Sequence, residues 1–184
     1  MRAWRLPAGS DGFDKLALEE LPDPVPGPGE VLIQIRACSI NYRDFAVAAG
    51  KYFGGALKAP AIPLSDGAGQ VVAVGGAVTR FKEGDRVQGS FFTQWEDGPP
   101  KGGPALGDGF APGMLAELVV LPESAVVPMA ESLDYAQAAC LPCAGVTAWN
   151  ALYEGPRALV PGMKVLVLGS GGVSMLALQI ARAG

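Results

Sequence analysis

The chain has 184 residues, a formal charge of −4, 26 glycines, 16 prolines and 49% hydrophobic residues, which suits one domain, or one domain with part of a second, and supplies enough apolar material for a core. An acidic balance without a run of one sign argues against nucleic acid as a partner; no stretch reaches membrane-spanning length without Pro or a charge, and the opening MRAWRLPAGSDG lacks the apolar core of a signal peptide. Three cysteines make no disulfide framework and point to a reducing cytoplasm, while the absence of any histidine removes the commonest metal ligand and neutral-pH proton shuttle.

Residues 1–128 read as all-β, and short strands separated by turn signals predict a barrel or sandwich. Leu16–Leu21 is the first candidate strand, followed by the Pro/Gly turn Asp23–Gly29. Glu30–Ala37, EVLIQIRA, alternates apolar and polar residues as a half-buried strand does. Gln70–Val74 is closed by Gly75-Gly76, a further strand begins at Asp85–Val87 after Lys82-Glu83-Gly84, and Met114–Leu121 is stopped by Pro122. The segment Thr93–Pro112, with Gly98, Pro99, Pro100, Gly102, Gly103 and Pro104, reads as a long loop, and loops of that length are usually functional or mobile.

From residue 129 the texture changes. A helix capped by Ser132 or Asp134 is expected to run to Leu141 and stop before Pro142, and Gly145–Glu154 is a second, with Val146, Trp149 and Tyr153 on one face. Lys164–Leu168, KVLVL, is a continuous apolar run of the kind buried on both faces of a sheet, and it feeds through Gly169–Gly172 into a helix over Ser174–Ala183. In that context the sequence GSGGVS reads as a phosphate cradle: Gly169 permits the tight turn, Gly171 admits a pyrophosphate close to the backbone, and the helix start offers free N–H groups and a positive dipole end. Ser174 replaces the usual third glycine, and a plain glycine turn is the alternative. The residue that reads the ribose lies about twenty positions further on, past Gly184, so the cofactor is NADP or NAD without distinction.

Taken in order, GPGEVLIQIRACSINYRD, PLSDGAGQVVAVG, FKEGDRV, LPCAGVTAWNAL and KVLVLGSGGVS resemble the medium-chain dehydrogenase/reductase superfamily over nearly the whole chain, and within it the zinc-free quinone-oxidoreductase-like and related alcohol-dehydrogenase-like branches. The resemblance implies a mainly β fold with an α/β part: a GroES-like β-barrel catalytic domain over residues 1–128, then the first part of a Rossmann fold over 129–184, incomplete because a full member is roughly twice as long. It implies a zinc-independent oxidoreductase that moves hydride between nicotinamide and a small carbonyl, enone or quinone substrate. Asn41 and Tyr52 would line the reacting cleft; Thr147, Gly169, Ser170, Gly171, Gly172 and Val173 would hold the cofactor.

Where zinc members carry their first cysteine this chain has Asn41, and where they carry a His-Glu pair it has Ser65 and Asp66; Cys143 alone keeps a ligand type. Three protein ligands are needed, so no catalytic zinc is expected, and the cysteine-free loop 93–112 predicts no structural zinc. A ligand set shifted to Cys38, Cys143 and carboxylates competes, with Cys38 at the wrong offset. Each residue also has a plainer role: Asn41 closing a turn, Tyr52 a rim aromatic, Thr147 back-bonding within its helix, Cys143 a buried small side chain, Tyr42 and Arg43 packing and surface, Asp44 a helix cap. A non-catalytic barrel module that binds a partner or small ligand is the competing function. The 184-residue chain by itself is expected to turn over little or no NAD(P)H, with residues after about 155 disordered or paired with another chain. Relatives that form homo-oligomers do so partly through the Rossmann domain.

Overall fold

The computed structural model describes residues 1–99 and 102–184, so Pro100 of the long loop lies outside the described residues. Strands β1 (Arg2–Arg5) and β2 (Ala17–Glu20) form a separate antiparallel pair. The alternation in EVLIQIRA produces the longest strand, β3 (Glu30–Ser39), with Val31 and Ile33 buried. It is followed by α1 (Tyr42–Ala48), β4 (Asp66–Val74), β5 (Arg86–Gly89), β6 (Leu118–Pro122) and β7 (Val126–Pro128). The main sheet is antiparallel throughout, in the order β6-β3-β4-β5-β7.

This order forces the sheet to curl. β6 and β7 are its two edges, yet only the 3-10 turn Glu123–Ala125 joins them. Flat, four strand spacings of about 4.8 Å would hold the edges roughly 19 Å apart, whereas a three-residue 3-10 turn rises only about 6 Å. The edges therefore approach; at the β7 edge Ser90 N–H donates to the Ala125 carbonyl at 2.9 Å, which extends the β5–β7 ladder beyond Gly89 and Val126 into the joining turn. Alternate residues point into the enclosed space, where Val31, Ile33, Val71, Val87, Val119, Leu121 and Val126 pack with Phe81, Leu106 and Met114. The β3–β4 register slips between Leu32 and Ile33 and again between Ile35 and Ala37, and such bulges increase the twist that curling needs.

Several boundaries differ from expectation. β1 and β7 were not anticipated. β4 starts four residues earlier, at Asp66, through a DGAG stretch that carries no β propensity. Of Met114–Leu121 only the last part joins the sheet, and Pro122 ends the strand rather than standing outside it; at the end of an edge strand its missing N–H removes no ladder bond. The preceding residues cross to β1 instead, with Trp4 N–H donating to Leu115 and Glu117 N–H to Arg2, both at 3.0 Å.

In the last third, Asp134 caps α2 (Tyr135–Ala139): its Oδ1 accepts from Gln137 N–H at 2.8 Å, and Gln137 Oε1 accepts in return at 3.0 Å. The chain does not stop before Pro142. It continues through a π-turn (Leu141–Gly145), α3 (Val146–Trp149) and a second π-turn (Asn150–Glu154), with Pro142 tolerated because it sits in the first turn, where no intrahelical donor is required. Trp149 and Tyr153 do share a face, with ring centroids 4.6 Å apart. KVLVL forms no strand: no described residue pairs with it, and Leu166 and Leu168 are 85% and 82% exposed. A strand exists only through its ladder partners. The expected disorder after residue 155 does not extend to α4 (Gly172–Ala183), a regular twelve-residue helix against α3. No helix among the described residues is long and apolar enough to cross a membrane.

Candidate functional site

The site grows from the corner where β3 turns into α1. Asn41 is the N-cap, with extended backbone (φ −117°, ψ 155°), and its N–H donates to Asp44 Oδ2 at 2.7 Å. Asn41, expected to close a turn, is thus the cap, and Asp44, expected as the cap, lies inside the helix as its third residue, where its carboxylate completes the capping box by accepting from the Asn41 N–H. The Asn41 side-chain amide is buried against the Asp66 carboxylate, whose pKa it helps to lower, so capping does not account for the whole residue. The inward face of α1 comprises Arg43, Asp44, Val47 and Ala48, the i, i+1, i+4, i+5 pattern of one helix face. Arg43 is thus packed inside rather than at the surface: it is 8% exposed, and Nη1 donates to the Leu106 carbonyl and lies 3.5 Å from Asp44 Oδ1. Tyr42, by contrast, is 88% exposed.

Against this corner lies the start of β4. Leu64 takes a left-handed φ of 74°, a strained choice for a branched residue, and turns Ser65 and Asp66 inward, both fully buried. Asp66 Oδ1 accepts from the Ser65 hydroxyl at 2.9 Å, and Oδ2 accepts from the Cys143 N–H at 3.1 Å. The second bond ties the π-turn to the barrel. Burial pushes both the Asp66 and the Asp44 carboxyl above the ordinary aspartate value, against the pull of their hydrogen bonds. Burial, reinforced by these carboxylates, pushes the Cys38 and Cys143 thiols up to about 11, so both are protonated at neutral pH. Cys38 moreover donates to the Met114 carbonyl at 3.0 Å. A pKa raised by two units leaves roughly 100-fold less thiolate than an ordinary cysteine has. Iodoacetamide at pH 8 is accordingly expected to label exposed Cys140 well before Cys38 or Cys143, as read by peptide mass spectrometry; equal labelling of Cys143 would contradict its protonated state.

Tyr52 packs against the same inward face of α1, at Arg43 and Val47. Its ring packs with Leu6, Val47 and Leu57 and lies 4.9 Å from the Phe53 ring. Tyr52, Phe53, Phe92 and Phe110 are walls of a cavity of about 400 Å³. The Arg43 guanidinium lies over the rings of both Tyr52 and Phe91, 5.0 and 4.8 Å from their centroids, which connects the Tyr52 wall to the Asn41–Asp44 corner. Thr147 is exposed, one turn after Cys143, and its hydroxyl donates to the Cys143 carbonyl at 2.7 Å, the plainer of its two expected roles. Gly169 has φ 79°, open only to glycine at low cost. Gly169, Ser170, Gly171, Gly172 and Val173 are exposed at the start of α4, whose N-cap Gly171 supplies no side-chain bond. The first N–H groups of that helix are thus free for an anion. A Cβ on Gly172 would lie 3.9 Å from that of Ala144, which places the loop beside the π-turn. The structure therefore joins Asn41, Asp66 and Cys143 directly and Tyr52 through Arg43, and sets Thr147 and the glycine loop along one flank. Sequence reasoning missed Arg43 as an interior residue; its register with Val47 on α1 was the available signal.

The residues do not suit zinc. Among the described residues no three His, Cys, Asp or Glu side chains are grouped to hold a metal. Asp66 has both oxygens engaged within the protein, and Asn41 and Ser65 offer a neutral amide and a hydroxyl rather than the deprotonated ligands zinc takes.

The alcohol dehydrogenase GroES-like domain family matches residues 27–131. A zinc-type alcohol dehydrogenase-like protein of Schizosaccharomyces pombe is 45% identical over 177 residues, covering 94% of this chain and 51% of the relative. The cobalt- and zinc-bound thermostable alcohol dehydrogenase of Pyrobaculum aerophilum superposes with a TM-score of 0.83 at 33% identity, covering 100% of this chain and 56% of that one. For the quinone oxidoreductase of Coxiella burnetii the TM-score is 0.75 and the identity 26%, with coverage of 100% and 53%. The chain spans about half the length of the relatives it matches.

Proposed function

The chain belongs to the alcohol dehydrogenase GroES-like domain family, within the medium-chain dehydrogenase/reductase superfamily, and on that premise we propose that it supplies the substrate-facing half of a zinc-independent oxidoreductase that reduces a carbonyl, enone or quinone with NADPH or NADH. The observation that carries this reading is the composition of the corner itself: where metal-dependent relatives resembled by the sequence place ligands, this chain has the neutral amide of Asn41, the Ser65 hydroxyl and an Asp66 carboxylate engaged by protein donors. A hydrogen-bond donor aimed at an oxygen that gains charge does part of a Lewis acid's work without a metal.

In this reading residues 1–128 form the substrate-facing unit and 129–184 open the cofactor-binding one. Gly169–Val173 and the first turn of α4 receive the pyrophosphate, and Thr147 faces the nicotinamide. When bound, the nicotinamide supplies hydride. Asn41 orients and polarises the acceptor oxygen, Tyr52 walls the cavity that receives the rest of the substrate, and the apolar lining excludes water.

The test uses a polypeptide that contains this chain with a complete dinucleotide domain. NAD(P)H oxidation with 1,2-naphthoquinone and with a simple enone is expected, unaffected by o-phenanthroline, with no stoichiometric zinc by elemental analysis. Asn41→Ala is expected to lower kcat/KM by about 100-fold, the usual size for one lost oxyanion donor. Stoichiometric zinc with loss of activity on chelation would overturn the metal-free reading.

A further inference from the structure

Two of the three cysteines stand three positions apart, Cys140-Leu141-Pro142-Cys143, and neither thiol is used by the reduction proposed above. Both are free: Cys140 is exposed at the end of α2, and Cys143 is half-buried in the π-turn that follows. Two cysteines at this spacing, in a chain without a disulfide framework, read as a redox pair rather than a structural staple.

The backbone between them suits a bond. Cys140 closes α2 and opens the π-turn with helical angles, φ −80° and ψ −9°, so the chain stays helical through both cysteines. With a rise of about 1.5 Å and about 3.6 residues per turn, three steps of helix set two Cα atoms about 5 Å apart. A disulfide spans about 4.4–6.8 Å between Cα atoms. Helical Cα–Cβ bonds tilt toward the N-terminus, so Cys143 leans back over the turn that Cys140 begins. Pro142 fixes its own φ and restricts the pair of residues in between, so little freedom is lost when the two ends are joined.

The thiols differ as an attacking and a resolving partner should. Cys140 Sγ donates to the Ala136 carbonyl at 3.3 Å, a contact that one side-chain rotation releases, and it meets reagents from solvent. Cys143 is sheltered, and burial beside Asp66 and Asp44 pushes its thiol up to about 11. Such a thiol reacts slowly with outside reagents but can close onto a sulfur already held beside it, where proximity offsets the scarcity of thiolate. The place also matters. The Cys143 N–H donates to Asp66 Oδ2 at 3.1 Å, its carbonyl accepts from the Thr147 hydroxyl at 2.7 Å, and its neighbour Ala144 lies beside Gly172 of the glycine loop. A covalent bond here would constrain a turn that touches both the barrel and that loop.

We propose that Cys140 and Cys143 form a thiol–disulfide exchange site that takes small disulfides of the glutathione type, with Cys140 as the attacking thiol and Cys143 as the resolving one. The Cys140 thiolate attacks one sulfur of the small disulfide. That S–S bond breaks, and one small thiolate leaves and takes up a proton. The mixed disulfide on Cys140 is then attacked by Cys143, which gives its proton to solvent; the mixed S–S bond breaks, and the second small thiolate leaves and is protonated. Two protein thiols are oxidised to one disulfide, and one small disulfide is reduced to two thiols. The exchange needs neither nicotinamide nor substrate, so it stands apart from the hydride transfer.

Trypsin cuts after Lys101 and Arg157, and the fragment between them holds Cys140 and Cys143 without Cys38. After treatment with glutathione disulfide at mildly alkaline pH, acid quenching and digestion, mass spectrometry is expected to find that fragment two hydrogens lighter and Cys38 unmodified. Cys143→Ala is expected to stop at one glutathione on Cys140, and Cys140→Ala to react at least about tenfold more slowly. The equilibrium constant for oxidation by glutathione disulfide is expected to be at least about tenfold larger for the folded chain than for the urea-unfolded one, because the fold holds the two thiols at bonding distance. A stable glutathione adduct on Cys140 of the unmodified chain overturns the proposal, and so do equal constants for the folded and unfolded chains. Either failure leaves the oxidoreductase reading standing, since that reading is tested by NAD(P)H oxidation.

Discussion

Gly69→Ala is expected to lower stability by about 3 kcal/mol, at the upper end of what overpacking costs, and the melting temperature by roughly 6–12 °C for a chain of this size. Gly69 lies on β4 opposite Ile35, beside one of the two register slips that bend the sheet. A Cβ there would press into the Gln34 carbonyl oxygen of β3 and come within 2.9 Å of Ile33 Cγ2. The carbonyl is backbone, held in the central ladder, and cannot rotate away. Relief requires β3 and β4 to separate, and those strands carry Val31, Ile33 and Val71 of the main core. Gly76→Ala is the matched control. Nothing lies within 4 Å of a Cβ at Gly76, and its φ is not in the left-handed region, so alanine there reduces the freedom of the unfolded chain with no clash in the folded one and should be neutral or slightly stabilising. Thermal unfolding followed by circular dichroism compares the two; similar losses at both positions would show that the β3–β4 approach is not a constraint.

How much of this was legible beforehand follows a physical divide. β3 was legible because one face meets the core and the other does not, so burial writes itself into a period of two. The Asp134 cap and the glycine turn at Gly169 were legible because short-range backbone chemistry demands those residue types. The edges of the sheet were not: β1 and β7 are four and three residues long and are strands only through partners distant in sequence. The first four residues of β4 were hidden for the opposite reason, since Asp66, Gly67, Ala68 and Gly69 are selected by close packing and by the site rather than by strand propensity. KVLVL shows the limit of pattern reading. Its composition is that of an interior strand, but composition supplies no neighbour, and without one the segment stays unpaired. At the site, the loop at Gly169 and the amide at Asn41 could be named from motif and order. The interior course of Arg43 was legible only in part: its helical register with Val47 points inward, but the partners that hold a charge there, the Leu106 carbonyl 63 positions away and two aromatic rings, are not displayed by the linear sequence.

Asp66 offers the second large effect, and its sign depends on pH. Asp66→Ala removes the acceptors of the Ser65 hydroxyl and of the Cys143 N–H. Two donors left without partners in a mostly buried setting cost about 3 kcal/mol together, and the π-turn loses its link to β4. Asp66→Asn behaves differently, because an amide keeps a carbonyl oxygen for one donor and carries no charge. In the wild-type protein burial holds the Asp66 pKa above its unfolded value. The folded state then binds the proton more tightly than the unfolded state does, so the stabilisation is fully present below the unfolded value of about 4 and is lost as pH rises through the raised folded value. Asp44, raised for the same reason and electrostatically coupled to Asp66, adds to the loss. Exposed Asp85, Glu117 and Glu123 are shifted downward by their hydrogen bonds and contribute in the opposite direction, but they are common to both proteins and cancel in a difference. The melting temperature of Asp66→Asn minus that of wild type should therefore climb steadily from pH 4 to pH 8, while Asp66→Ala stays below wild type at the acid end. A difference for Asp66→Asn that is flat or falls over that range would mean that the buried carboxyl is ionised at little cost, against the upward shift that burial imposes.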